Sequence, residues 1–219
     1  MCDNFLRFES KYKSQKQLIE ELYLMALIDS FQRVKLIKDI NTFIENKIRN
    51  KFVYDLENKN EFLKEWINSK IIFLTSENQI IRDDENKRTD IEFIVSKYGK
   101  FVVECKRLNS AEERYIKGKY DDKEKKYTED GIERFTNSIY AKDEQFAGMI
   151  GFVVDGDINK IILKLKDKIK DFKFDTNSYN LLETKCADWE TSFQSKHIRD
   201  NNKIQTIHLY HLFLNFPLK

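Results

Sequence analysis

Two β-prone runs on either side of a glycine-containing turn constrain the fold of this chain most strongly. Residues 89–95 read Thr-Asp-Ile-Glu-Phe-Ile-Val, and residues 101–106 read Phe-Val-Val-Glu-Cys-Lys. Such runs around a short segment with Gly predict a β-hairpin. Side chains alternate between the two faces of a strand, so Asp90 shares a face with Glu92, and Glu104 shares one with Lys106.

The length of the hairpin loop decides whether these two polar faces coincide. With an odd number of loop residues, Glu104 pairs with Glu92 and Lys106 pairs with Asp90, and all four side chains lie on one side. A two-residue turn would slip the register by one residue and separate them. We expect a three-residue loop with Gly99 in the left-handed conformation.

The Glu-x-Lys triplet at 104–106 is informative because of its position in this hairpin. Such triplets recur along a chain that is 35% charged, but the copy at 104–106 closes an apolar strand whose partner opens with an acid. Carboxylates directly opposite each other repel unless a cation lies between them. Carboxylate oxygens bind Mg²⁺ together with phosphate, and a nearby ammonium stabilises developing negative charge. The pattern predicts a metal site for phosphodiester cleavage, and the structural alternative is an edge hairpin with a Lys–carboxylate pair.

This arrangement of acid, acid and lysine resembles the PD-(D/E)xK nuclease superfamily, which has the restriction-endonuclease-like fold. Thr89 stands where the family often has Pro, and the resemblance covers roughly residues 60–155. It implies an αβββαβ core in which Asp90 and Glu104 bind Mg²⁺, with Mn²⁺ as a substitute. It also implies that the backbone carbonyl of Cys105 adds a metal ligand and that Lys106 serves the attacking water.

The resemblance extends to further residues and to the biological setting. The family often adds a glutamate on the helix before the first strand, and Glu21, Glu61 and Glu65 remain alternatives for that role. Hydrolysis of DNA in bacterial defence, the restriction of foreign DNA, is the expected function. The alternatives are a non-catalytic nucleic-acid-binding or assembly subunit with the same fold, and an RNA nuclease. Expected partners are DNA, a separate motor or sensor subunit, and a second copy in a homodimer.

The remaining chain predicts an α/β fold with a mixed sheet flanked by helices. We expect residues 1–55 to form a helical N-terminal extension packed on the core, and residues 56–219 to form the nuclease-like domain. The hydrophobic patterns predict further elements. These are a loop at 76–88, a helix at 131–146, a buried strand at 148–154, an amphipathic helix at 160–172 and one or two strands at 204–216.

Two further groups of residues have competing interpretations. The charged stretch 109–130 is either a solvated loop or a flap on the phosphate backbone, with Tyr115, Tyr120 and Tyr127 stacking on bases. His208 and His211 sit three apart, so on one strand they point to opposite faces, and we interpret both as structural. His197 lies in what reads as a polar turn.

Composition sets the broad class of the protein. The net charge is only +2, so nucleic-acid binding requires a local basic surface. Three cysteines without a framework spacing indicate reduced thiols, which favours a cytoplasmic protein. No stretch approaches the roughly 18 apolar residues that span a bilayer, so we expect no membrane partner.

Overall fold

The computed structural model describes residues 2–76, 79–82, 85–109, 113–121, 126–175, 188–199 and 202–216. The chain is an α/β protein, as the sequence predicts, and its six-stranded sheet contains both parallel and antiparallel pairs.

Helices dominate the first third of the chain. The α-helices are α1 (Cys2–Lys11), α2 (Gln15–Leu18), α3 (Leu24–Val34), α4 (Glu45–Asn58), α5 (Glu61–Asn68), α6 (Glu113–Ile116), α7 (Ile132–Thr136) and α8 (Ile158–Lys170). A π-helical segment (Ile19–Tyr23) joins α2 to α3, and a 3₁₀ turn (Ile40–Thr42) precedes α4. None of the described helices is long and apolar enough to cross a membrane.

Strands follow from residue 73 onward. They are β1 (Phe73–Thr75), β2 (Gln79–Arg82), β3 (Glu85–Arg88), β4 (Ile91–Val95), β5 (Gly99–Leu108), β6 (Lys119–Asp121), β7 (Lys126–Thr128), β8 (Phe146–Val153), β9 (Ser192–Ile198) and β10 (Thr206–Asn215). The main sheet has the order β1-β4-β5-β8-β10-β9, and β2-β3 and β6-β7 form separate hairpins.

The chain divides into two compact units, Met1–Val103 and Glu104–Lys219, and the boundary falls within β5. In the first unit, β4 pairs antiparallel with both β1 and the start of β5. Tyr23 of the π-helical segment stacks on Phe93 of β4 with ring centroids 4.4 Å apart. In the second unit, β10 pairs in parallel with β8 and antiparallel with β9. The predicted division at residue 55 stays a prediction.

The β4–β5 hairpin has the predicted turn but not the predicted register. Residues 96–98 form the three-residue loop, and Gly99 has a φ of 75°, in the left-handed region. Glu92 lies opposite Val102, so its predicted pairing with Glu104 is wrong. The reason is that β5 begins at Gly99, which keeps residues 99 and 100 in the ladder. Val102 and Glu104 share a face of β5, so the shift leaves every side chain on its predicted face.

Three other predictions about elements are wrong. Residues 76–88 are not a loop, because β2 and β3 pair there. The helix predicted at 131–146 ends at Thr136, where a turn with left-handed Ser138 and Ala141 follows. His197 lies on β9 rather than in a polar turn. The strand at 148–154, the helix at 160–172 and the strand at 204–216 correspond to β8, α8 and β10.

Candidate functional site

Asp90 lies directly before β4 in the first unit, where it is buried beside an arginine. The Nη1 atom of Arg49, on α4, donates to Oδ1 of Asp90 at 2.6 Å. The two residues are 4% and 8% exposed respectively. Burying a carboxylate is costly unless a cation or hydrogen-bond donors accompany it. Arg49 provides such a cation, and sequence reasoning missed it because no local pattern connects a helix residue to the start of a strand.

Glu92, the second acid of β4, also has a cationic neighbour within the first unit. It is 3% exposed, and its Oε2 atom lies 3.8 Å from Nζ of Lys100 on β5. The antiparallel register places Lys100 opposite Ile94, diagonal to Glu92. Diagonal neighbours in a ladder are within reach of long side chains, so this ion pair follows from the hairpin itself.

The Glu104–Lys106 pair is formed in the second unit, and its amine has a second acidic partner. The Nζ atom of Lys106 lies 2.6 Å from Oε1 of Glu104 and 2.8 Å from Oδ1 of Asp130. Glu104 is fully buried, and Lys106 and Asp130 are each 4% exposed. Strand alternation brings the first two together as predicted. Asp130 was not predicted as a site residue, because it ends a long polar stretch without local periodicity.

Two arginines complete this cluster. Nη1 of Arg134, on α7, donates to the same Oε1 atom of Glu104 at 2.8 Å and to the hydroxyl of Tyr140 at 2.8 Å. Arg114, on α6, approaches Oδ2 of Asp130 at 2.8 Å. The sequence analysis did not include either arginine among the site residues. The cluster holds one more cation than carboxylates, which suits a phosphate ligand.

The electrostatics of the cluster favour the ionised form of Asp130. Burial raises the pKa of the Asp130 carboxyl, but the three surrounding cations outweigh burial and hold this pKa below its ordinary value. The carboxyl therefore stays negatively charged at neutral pH, and it provides a permanent partner for the Lys106 ammonium.

The three alternative upstream glutamates all lie exposed in the first unit. Glu21, in the π-helical segment, accepts from Nε2 of Gln17 at 3.0 Å. Glu61 pairs with Lys64 at 3.2 Å on α5, and Glu65 pairs with Arg7 of α1. Each takes part in a surface interaction, and all three remain alternatives for the predicted additional glutamate of the site.

The charged stretch 109–130 contains the β6–β7 hairpin, and its described tyrosines differ in accessibility. Tyr115 is fully buried, so its predicted stacking on nucleotides is wrong. Tyr127 is exposed and donates to Oε2 of Glu133 at 2.8 Å. Two effects raise the pKa of Tyr127 to about 12: burial is the larger, and the hydrogen bond to Glu133 is the next. Residues 110–112 and 122–125 of the predicted flap lie outside the described residues.

The buried histidines form a structural chain in the second unit. The hydroxyl of Ser195 lies 2.8 Å from Nε2 of His197 and 2.7 Å from Nε2 of His211. Nδ1 of His197 is 3.1 Å from the carbonyl of Phe172, and Nδ1 of His211 is 2.9 Å from the hydroxyl of Tyr115. His197 and His211 are both fully buried, so His197 is not available to a phosphate.

Comparison with known proteins identifies no relative for this chain. No family model, no curated protein and no solved structure matches it. Within the described ranges, no group of three or more His, Cys, Asp or Glu side chains is arranged to hold a metal ion. The individual residues and their contacts are therefore the basis for inferring the function.

Proposed function

We propose that this protein is a metal-dependent nuclease that hydrolyses phosphodiester bonds of DNA. One observation carries the proposal: Glu104 and Lys106 form a buried pair at 2.6 Å on β5, the second strand of a hairpin whose first strand begins directly after Asp90. Burying the two charged groups of this pair is costly for folding. Buried charged groups with specific charge partners are found at functional sites, which favours chemistry over a purely structural role.

The order of elements supports a restriction-endonuclease-like core. Along the chain, α5, β1, β4, β5, α7 and β8 follow the αβββαβ order, and their strands are neighbours in that order in the sheet. The β2–β3 hairpin is then an insertion between the first two core strands. One difference is that α7 has only five residues, where the apolar pattern predicts a helix over 131–146.

The proposed ligands have the chemistry that a hard divalent cation requires. Asp90 and Glu104 would supply carboxylate oxygens and Cys105 a backbone carbonyl, and Mg²⁺ and Mn²⁺ take oxygen ligands of this kind. Bound there, the cation would polarise the scissile phosphate and lower the pKa of a bound water. Lys106 orients the attacking water and stabilises charge on the phosphate. In this structure Arg49 contacts Asp90 and Arg134 contacts Glu104, so a bound cation would replace or share these contacts.

A non-catalytic nucleic-acid-binding or assembly subunit is the second candidate. It is favoured by the fact that Asp90 and Glu104 each already contact a buried or half-buried cation. In that case the ion pairs stabilise the fold, and the protein shifts DNA in a gel without cutting it. Binding would weaken steeply with salt, because lysines and arginines would displace counterions from the phosphates.

Cleavage assays separate these candidates. Plasmid DNA, linear DNA and RNA are incubated with Mg²⁺, with Mn²⁺ and with EDTA. We expect metal-dependent cutting of DNA that Asp90→Asn and Glu104→Gln abolish. The exposed Asp167 and Glu190 provide matched controls, Asp167→Asn and Glu190→Gln, that keep full activity. Intact DNA under every metal overturns the nuclease assignment, and preferential cutting of RNA overturns the choice of DNA.

The setting and partners are part of the same proposal. Restriction of foreign DNA in bacterial defence follows from the resemblance by analogy. The cysteine pattern supports a cytoplasmic location, and a homodimer and a separate motor or sensor subunit are the proposed partners besides DNA. Sedimentation of the purified chain tests the dimer directly.

A further inference from the structure

Arg114 is the most exposed cation of the cluster around Glu104 and Asp130. Its side chain is 64% exposed, whereas the side chains of Lys106 and Arg134 are 6% and 18% exposed. Water screens an ion pair whose cation is exposed to this extent, so we expect the contact with Asp130 to add little to stability. Of the three cations, Arg114 is therefore the one that a ligand reaches most directly from solvent.

Asp130 occupies only one edge of the Arg114 guanidinium. Nε and Nη2 both lie 2.8 Å from Oδ2 of Asp130. Among the residues that the structure describes, no carboxylate other than Asp130 contacts Arg114. The adjoining edge, formed by Nη1 and the outer N–H of Nη2, therefore remains for a ligand. It carries two parallel donors, and this fork matches two oxygen atoms of a phosphate.

The groups on either side of this contact are fixed. The backbone N–H of Gly131 donates to Oδ1 of Asp130 at 3.0 Å. Gly131 has a φ of 56°, and a Cβ atom there would lie 2.1 Å from the carbonyl oxygen of Tyr115, so only glycine fits this position. Tyr115, the residue after Arg114, is fully buried, and its hydroxyl lies 2.9 Å from Nδ1 of His211. A donor fixed in this way loses less conformational freedom on binding.

The charges of the cluster favour an anionic ligand. Lys106 lies 2.6 Å from Glu104 and 2.8 Å from Asp130, and Arg134 lies 2.8 Å from Glu104. Within these contacts the two cations offset the two carboxylates, and Arg114 adds a further positive charge at the solvent side. Each phosphate of a DNA strand carries one negative charge, which would balance it.

We infer that Arg114 binds a phosphate of the DNA backbone through its Nη1–Nη2 edge while Asp130 holds its Nε–Nη2 edge. Lys106 contacts Oδ1 and Arg114 contacts Oδ2 of the same carboxylate, so a strand bound by Arg114 passes next to the Lys106 ammonium. The inference deepens the proposed nuclease function and rests on it. Phosphate contacts carry no base information, so this contact is independent of DNA sequence.

The test measures DNA affinity by fluorescence anisotropy of a labelled duplex oligonucleotide, with EDTA present so that no strand is cut. Arg114→Met is compared with wild type and with the matched control Lys164→Met, an exposed position on α8 in the same unit. Loss of a charge-assisted contact should weaken binding by about 10-fold. The slope of log affinity against log salt should become shallower by about 0.9. The control should weaken binding by less than about 2-fold, because a distant exposed charge is screened.

Arg114→Lys separates the shape of the guanidinium from its charge. Lysine keeps a positive charge beside Asp130 but lacks the planar fork. We expect its affinity for DNA to lie between those of wild type and Arg114→Met. Both variants should keep the wild-type midpoint in urea titration, because the exposed ion pair adds little to stability.

Several results would overturn this role of Arg114. One is a folded Arg114→Met that binds DNA with wild-type affinity and salt slope, and another is an equal loss of affinity in Lys164→Met. A lowered urea midpoint with unchanged DNA affinity would assign Arg114 to the fold instead. If Arg114→Met does not fold, Arg114→Lys decides, and wild-type affinity in that variant overturns the inference.

The two proposals fail differently. Wild-type protein that cuts no nucleic acid with any metal overturns the nuclease function, while binding in EDTA that depends on Arg114 still supports the phosphate contact. Wild-type protein that cuts DNA, while Arg114→Met binds DNA as tightly as wild type, leaves the nuclease function standing and overturns the contact. Tighter binding of an RNA duplex than of the DNA duplex overturns the choice of DNA.

Discussion

Removing the Arg49 side chain should lower the free energy of unfolding, because the buried Asp90 carboxylate loses this ion pair. In Arg49→Met the partner at 2.6 Å is lost, while Asp90 stays 8% exposed. Breaking one side of a buried ion pair costs about 3–5 kcal/mol. We expect the free energy of unfolding, from urea titration with EDTA present, to fall by about that amount. The control is Lys51→Met, at an exposed position on the same helix, which should change stability by less than about 0.5 kcal/mol.

Magnesium should reverse part of this loss if Asp90 is a metal ligand. A cation that binds only the folded state adds about 2.7 kcal/mol at 100 times its dissociation constant. The gain should be larger in Arg49→Met than in wild type, because Mg²⁺ no longer competes with the guanidinium. A variant as stable as wild type without metal would refute the ion-pair reasoning. A variant that is destabilised but indifferent to Mg²⁺ would refute the role of Asp90 as a ligand.

Three further predictions concern stability in the second unit. Ser195→Ala should lower the free energy of unfolding by about 1–3 kcal/mol in urea titration, because two buried imidazole nitrogens lose their partner. Burial lowers the pKa of His197 from 6.5 to about 4, and it also lowers the pKa of His211 well below the ordinary value. Their neutral forms therefore stabilise the fold above pH 6.5, and this stability should fall as pH drops from 6.5 toward 4. His197→Gln should reduce that slope by about 1.4 kcal/mol per pH unit. Gly131→Ala should destabilise by at least about 1–3 kcal/mol, since its new Cβ meets the Tyr115 carbonyl.

Each of these has an outcome that contradicts it. Ser195→Ala with wild-type stability would mean that the histidine chain is not essential to the packing of β9 on β10. A flat stability curve between pH 6.5 and 4 would contradict burial of neutral imidazoles. Gly156→Ala is the control for Gly131→Ala: its φ is also positive, but its Cβ would lie 3.5 Å from the nearest atom. If the two substitutions lowered the free energy of unfolding equally, the contact with the Tyr115 carbonyl would not be the cause of the destabilisation.

Local patterns were sufficient for the hairpin and for the longer apolar elements. The Gly99 turn and the alternation on β4 and β5 depend on neighbours in sequence, so they could be predicted. The same holds for β8 and α8, whose apolar residues follow strand and helix periods. The register error at Glu92 arose because the start of β5, and not the parity of the loop, sets the pairing.

The charged partners of the site residues could not be predicted, because they come from distant elements. Arg49 lies on α4 and Asp130 follows the β6–β7 hairpin, and neither position carries a motif. The position of His197 was wrongly predicted because its strand has polar residues facing inward. Ser195, His197 and Arg199 are buried while Ile198 is exposed, a strand period with polar residues inside and an apolar one outside. Polar inward positions of this kind are found only once their partners are known.

Calorimetric titration of Mg²⁺ into the folded protein tests the central claim most directly. We predict saturable binding by wild type, loss of that binding in Asp90→Asn and in Glu104→Gln, and unchanged binding in the control Asp167→Asn. Wild-type protein that takes up neither Mg²⁺ nor Mn²⁺, with DNA present or absent, would contradict the metal-dependent nuclease function.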